Sequence, residues 1–166
     1  HENSKGVYSI VGFELDHTLS ESGSVSRGIC AYDKEQHLTD VVEHLNIAKE
    51  ADGKVYGDNS ATGETHVELV ANNLCSMNMW GFTPDYFEQS EKIFEKFLEE
   101  NSQELKKEFY IPFAIDCMVK SGEAKCEVLS TPSHWFGVTY KEDRPGVVAK
   151  FQELADKGVY PTPLYK

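Results

Sequence analysis

Residues 135–145 read Trp135-Phe136-Gly137-Val138-Thr139-Tyr140-Lys141-Glu142-Asp143-Arg144-Pro145, and the fold class turns on them. The apolar, aromatic and β-branched residues through Tyr140 predict a strand, with Trp135 as its anchor in the core. Lys141 to Arg144 then make a charged loop, and Pro145, whose ring pre-sets φ, opens the first turn of a helix. A strand handing over to a helix is an α/β unit. In open α/β sheets ligands bind outside the carboxyl ends of strands, so this loop is the first candidate for a site. The ordinary alternative is a solvated connection, which is what most charged strand-to-helix loops are.

Downstream, Gly146 to Lys157 predicts a helix with Val147, Val148, Phe151, Leu154 and Ala155 facing inward and Gly158 as its stop. The tail Tyr160-Pro161-Thr162-Pro163-Leu164-Tyr165 is expected to be extended, because two prolines forbid a helix. Upstream, Ala124 to Leu129 reads as a strand, and Pro112 to Lys120 as a short apolar helix closed by Gly122. Thr83-Pro84-Asp85 supplies an N-cap, a first-turn proline and an acid near the positive helix end. The helix that follows turns Tyr86, Phe87, Ser90, Ile93, Phe94, Phe97 and Leu98 inward and carries an acidic back.

The first half predicts strands over Val7 to Leu15 and Ser76 to Phe82, and a hairpin of Ile29–Tyr32 and Leu38–His44 joined by Asp33 to His37. Glu43-His44 ends that hairpin, and Glu43 reads either as an exposed edge-strand carboxylate or as an acceptor for sugar hydroxyls. Asp16 to Gly28 reads as a long loop, and its Arg27-Gly28 pair just before a strand favours a functional one. Ala48 to Glu64, punctuated by Asp52-Gly53, Gly57-Asp58-Asn59 and Thr62-Gly63, reads as an insertion or flap. Asn78, polar within an apolar run, either satisfies its amide on backbone or lines a pocket. The fold class is therefore α/β, a mixed sheet with flanking helices. His66-Val67-Glu68 lacks the P-C-x-x-C partner of a zinc deaminase and is a chance match.

With 166 residues, 40% hydrophobic and 27% charged, the chain fits a single domain spanning 1–166, and no apolar run approaches the roughly 20 residues that cross a bilayer. A net charge of −12 without a basic stripe argues against a nucleic acid polymer as partner, whereas a mononucleotide needs only one or two cations and a metal. Cys30, Cys75, Cys117 and Cys126 are too scattered for a zinc site and read as reduced thiols, suiting a cytoplasmic location. His1-Glu2-Asn3-Ser4-Lys5 leads straight into a strand, as though something before it had been removed.

Thr18-Leu19-Ser20-Glu21 with Val25-Ser26-Arg27-Gly28-Ile29-Cys30, then Ser76-Met77-Asn78-Met79-Trp80-Gly81-Phe82, then Trp135 to Pro145, together resemble the bacterial sugar-phosphate nucleotidyltransferases, the group that includes glucose-1-phosphate thymidylyltransferase. The likeness covers nearly the whole chain and is to the later half of that Rossmann-like fold. It implies the sugar-binding and C-terminal portion of an enzyme, without its N-terminal nucleotide-binding part. The implied reaction is attack of a sugar-1-phosphate oxygen on the α-phosphorus of a nucleoside triphosphate, releasing pyrophosphate, with magnesium neutralising charge in the full-length enzyme. The family's G-x-G-T-R loop is absent from this sequence.

By the resemblance, Gly28 lets the sugar approach the backbone, with Arg27 beside it, Glu43 binds sugar hydroxyls, and Asn78 lies near the strand that lines the pocket. Lys141 and Arg144 become phosphate neighbours. His44 stands where many relatives have Lys, which weakens the phosphate contact implied there, and Gly137 stands where W-x-D-x-G-T carries the metal-binding Asp; the resemblance carries no catalytic residue and no metal ligand onto this chain. The chain alone is expected to be inactive. The alternative is a non-catalytic sugar-phosphate-binding or assembly module. The acidic face of the helix from Pro84 to Glu100 is a third candidate, a partner surface, although charge runs are ordinarily solvated faces.

Overall fold

The computed structural model describes residues 5–20, 23–104, 107–138 and 141–163. His1 to Ser4, Glu21, Ser22, Thr139, Tyr140, Leu164 and Tyr165, on which parts of the expected start, motifs and tail fall, lie outside them. The chain forms two compact units, 1–133 and 134–166.

The first unit is built on a seven-stranded mixed sheet. Its strands are β1 (Val7–Glu14), β2 (Val25–Tyr32), β3 (Leu38–Lys49), β4 (Val55–Asn59), β5 (Val67–Leu69), β6 (Leu74–Gly81) and β7 (Lys125–Thr131). Their order is β5-β4-β3-β2-β6-β1-β7. Only β1 and β7 run parallel; the other neighbours are antiparallel. Two helices, α1 (Asp85–Asn101) and α2 (Ile111–Ser121), separate β6 from β7.

Strand alternation sorts the apolar side chains onto two faces. Tyr8, Ile10, Cys30, Leu74, Cys126 and Val128 meet Tyr86 of α1 and Ala114, Ile115 and Met118 of α2 in one core. Ile29 and Cys75, one residue out of phase with Cys30 and Leu74, join Leu15, Ile47, Val55 and Leu69 in a second core on the opposite face. Burial pushes the Cys30 and Cys126 thiols up to about 12, which makes them inert packing groups.

Several boundaries differ from expectation. The Asp16–Gly28 stretch is not one long loop: Leu15–Thr18 forms a 3₁₀ turn, and β2 starts at Val25. Strand β3 continues past His44 to Lys49, and the expected flap contains β4, whose Val55 and Gly57 are buried. Glu43 therefore lies on an interior strand. Helix α1 begins at Asp85, one residue later than Pro84, without a side-chain cap. The Gly122 stop of α2 is as expected, in the left-handed conformation with φ 78°. At the β2–β3 turn, the Asp33 carboxylate accepts the Glu35 and His37 amides, and the Gln36 carbonyl accepts the Val128 N–H of β7 at 2.8 Å.

Asp85 ties α1 to β1 instead of capping its own helix, accepting the Gly6 N–H at 2.8 Å and the Tyr8 hydroxyl at 3.1 Å. The neighbouring Thr83 side chain and the hydrogen bonds from Gly6 and Tyr8 hold its carboxyl below the ordinary range. Stability from a depressed carboxylate is present above the unfolded value of about 3.9 and is lost as pH falls through the lower folded value. Asp85→Ala is expected to cost about 1–2 kcal/mol in urea unfolding at pH 7, and progressively less as the pH drops from about 3.9, where the unfolded chain protonates, toward the lower value at which the folded carboxylate does.

The second unit holds a short 3₁₀ turn, Lys141–Asp143, and α3 (Arg144–Asp156), ended by Gly158 at φ 72°. Residues 132–138 are not a strand, which corrects the reading of Trp135 to Val138, while the rest of the expected strand lies outside the described residues. The alternating pattern is present, but a strand needs a partner, and the unit has no other strand among its described residues. Trp135 is 39% exposed rather than a core anchor, and its ring lies over Gly137, where a Cβ would come 2.7 Å from Cζ2. Val147, Val148, Phe151, Leu154 and Ala155 of α3 are half-buried or exposed, because a unit this small cannot enclose them.

Candidate functional site

The register of β2, β3 and β6 builds the candidate site. Gly28 pairs with Glu43 on one side and Ser76 on the other, so these three residues form one row across three strands. All point to the face that carries α1 and α2. A Cβ on Gly28 would lie 2.7 Å from Val41 Cγ1, 3.4 Å from Glu43 Oε2 and 3.7 Å from Ser76 Cβ. Gly28 is buried, and its missing Cβ lets Val41 pack closely over the backbone between the Glu43 carboxylate and the Ser76 side chain.

Glu43 is held from behind: its backbone carbonyl accepts the Ser60 N–H at 3.0 Å and the Ser60 hydroxyl at 2.6 Å. Although Glu43 is exposed as a residue, partial desolvation raises its carboxyl above the ordinary range, with Arg27 and His44 acting the other way. The Ser76 Oγ accepts the Asn78 N–H at 3.2 Å, which leaves the hydroxyl proton to donate. Asn78 itself sits in the left-handed region with φ 55° at a bulge, where Met77, Asn78 and Met79 stand opposite Val11 alone. Its amide oxygen accepts a long hydrogen bond from Trp80 Nε1 at 3.5 Å, and its side chain is exposed.

Arg27 goes to the other face of the sheet, as its neighbour Gly28 requires. Its guanidinium donates to the Thr18 hydroxyl at 3.1 Å, the Thr18 carbonyl at 2.6 Å and the Ser26 carbonyl at 2.7 Å. Thr18 is almost fully buried beside Cys75. Desolvation lowers the Arg27 pKa, with Cys75 and Glu43 opposing. Its hydrogen bonds pin the 3₁₀ turn. His44, also on that face, is buried with Nδ1 3.0 Å from the Val42 carbonyl, which assigns the proton to Nδ1.

Of the residues singled out in the sequence, Gly28 and Glu43 are brought together, and Asn78 lies two residues along from their neighbour Ser76. Lys141 and Arg144 belong to the second unit, at the start of its 3₁₀ turn and of α3. Sequence reasoning missed Ser76 and Ser60. Ser76 had a signal, since a residue two before Asn78 shares its face in an unbroken strand; the bulge hid which of the two faces Gly28. Ser60 had none.

Among the described residues one group of possible metal ligands lies together at the β2–β3 turn, exposed Asp33 and Glu35 with half-buried His37, away from Gly28 along the strand. Set against known protein families and against curated proteins, the chain has no match.

Proposed function

We propose that the row Gly28, Glu43 and Ser76 binds the sugar of a sugar-1-phosphate, as the sugar side of a nucleotidyltransferase that forms a nucleotide sugar and pyrophosphate. The observation that carries this reading is the missing Cβ of Gly28 between the Glu43 carboxylate and the Ser76 hydroxyl. A pyranose ring set against the exposed side of this row would offer hydroxyls to Glu43, which accepts, and an oxygen to Ser76, which donates. The later-half Rossmann-like assignment rests on the motif resemblance together with this row.

The residues present do not fit a magnesium site. Gly137 has no side-chain oxygen where the resembled motif carries Asp, and the Asp33, Glu35 and His37 group sits at the hairpin turn. In this reading magnesium and the triphosphate loop of the full-length enzyme come from sequence outside these residues, and the 166-residue chain binds sugar phosphate without turnover. The absent G-x-G-T-R and the Gly137 substitution equally favour the second reading, a non-catalytic sugar-phosphate-binding module.

Calorimetric titration with glucose 1-phosphate and with nucleotide sugars tests the binding that both readings share. Saturable heat is expected, and no heat with any of them would sink both. Pyrophosphate release by the chain alone would sink the inactive-portion reading. Glu43→Gln is expected to weaken binding about tenfold, the loss of roughly one charge-assisted hydrogen bond, while leaving the melting temperature unchanged or raised. The sign follows from the raised pKa: folding favours the protonated carboxyl, so its ionised form detracts from stability at neutral pH. By the same shift, wild-type affinity should fall as pH drops, with its midpoint above the ordinary glutamate value of about 4.3.

A further inference from the structure

Helix α1 buries Tyr86 in the core and packs Ile93 against it, while Phe97 meets Phe109 and Phe113, which leaves a second apolar stripe in the open. At about 100° per residue, Phe87, Phe94 and Leu98 fall within about 40° of one line, roughly a third of a turn from the buried stripe. They are 72%, 41% and 47% exposed. The stripe is continuous with the start of α2: Phe94 lies 5.1 Å from Phe109, and Phe109 lies 5.9 Å from Phe113, which is also exposed.

On its other side the stripe is bordered by Glu91, Glu95, Glu88 and Glu99, all exposed. Among the described residues none of these four makes an ion pair; the one on this helix joins Lys96 and Glu100. An acidic run alone would be a solvated face, and an apolar ridge alone would leave its partner undefined. Side by side they specify one chemistry, apolar side chains along one line and cations along the next.

We propose that the outer face of α1, with Phe113 of α2, docks a basic amphipathic helix of another protein, its apolar stripe on Phe87, Phe94 and Leu98 and its Lys or Arg residues against Glu91 and Glu95. A second copy of this chain fits poorly, because it would bring two glutamate walls together on molecules that each carry a net charge of −12. The proposal stands independently of the sugar-phosphate site, which lies on the sheet.

The test uses the whole chain and a fluorescein-labelled synthetic helix of ~18 residues, Leu on one stripe and Lys on its flanks, beside a scrambled peptide of equal composition. Fluorescence anisotropy is expected to show saturable binding of the patterned peptide alone. Phe87→Ser should weaken it about tenfold, about 1.4 kcal/mol. Glu91→Lys with Glu95→Lys should weaken it at low salt and much less at ~0.5 M salt, where surface charges are screened. All three positions are exposed, and an unchanged circular dichroism spectrum checks that the variants fold. Equal binding of the scrambled peptide would overturn the proposal, as would affinity indifferent to Phe87→Ser. So would sedimentation showing a dimer that Phe87→Ser dissolves, which would make the occupant a second copy.

Discussion

Replacing Gly28 by Ala is expected to weaken sugar-phosphate binding about 100-fold, close to 3 kcal/mol, at a cost of about 1 kcal/mol in stability. The backbone there is not in the left-handed region, so the effect is steric. The new methyl would stand 2.7 Å from Val41 Cγ1, inside any tolerable contact, and Val41 is itself packed against the helix-side core. Overpacking of this kind costs about 1–3 kcal/mol, offset by about 0.4–1 kcal/mol because alanine has fewer unfolded conformations. The double variant Gly28→Ala with Val41→Ala separates the two effects. Removing the Val41 methyls should relieve the clash with the added methyl, while the methyl between Glu43 and Ser76 remains where the ligand would rest. Titration of the double variant should still show binding about 100-fold weaker than wild type; restored binding would mean that Gly28 serves packing alone.

Arg27→Ala is expected to lower stability by about 3 kcal/mol, read from the urea midpoint. The guanidinium donates to both the hydroxyl and the carbonyl of Thr18, a residue 1% exposed, and removing it leaves that carbonyl buried and unsatisfied. Hydrogen bonds to a charged donor are worth about 1.5–3 kcal/mol each, and the third, to Ser26, is exposed and adds little. Arg27→Lys should recover less than half, since an ammonium cannot reproduce the planar fork. Because this side chain lies across the sheet from Gly28, the folded Lys variant should bind sugar phosphate within about twofold of wild type. A larger loss would place Arg27 in direct contact with the phosphate instead.

Local patterns were legible where packing obeys the strand and helix periods. Tyr8 and Ile10 alternate into one core, the β2–β3 hairpin follows its turn residues, and Gly122 and Gly158 end their helices. Where a residue answers to a distant neighbour, the sequence was silent. Gly57 read as a turn, yet it lies within β4, where a Cβ would come 2.9 Å from Ile47 Cγ1 and 3.2 Å from Leu69 Cδ1; it is a glycine of close approach. Phe87 matched the helical period by spacing but falls to the outer side. Trp135 to Val138 alternate correctly and still make no strand, because pairing is a property of two segments.

The site was half legible for the same reason. Glu43 and Gly28 are far apart in sequence and meet only through antiparallel register. Adjacent residues on a strand face opposite ways, so the Arg27-Gly28 pair that read as one motif is divided between the two faces.

The β2–β3 turn reaches further than its own hairpin. By presenting the Gln36 carbonyl to the Val128 amide, it lays a short stretch of chain along the outer side of β7, the last strand of the sheet. An outermost strand is a template on which another molecule can add a strand of its own, the first step toward aggregation. The turn occupies that place with residues of the same chain, so the two-residue contact at Gln36 and His37 acts as a guard against intermolecular strand addition on that flank.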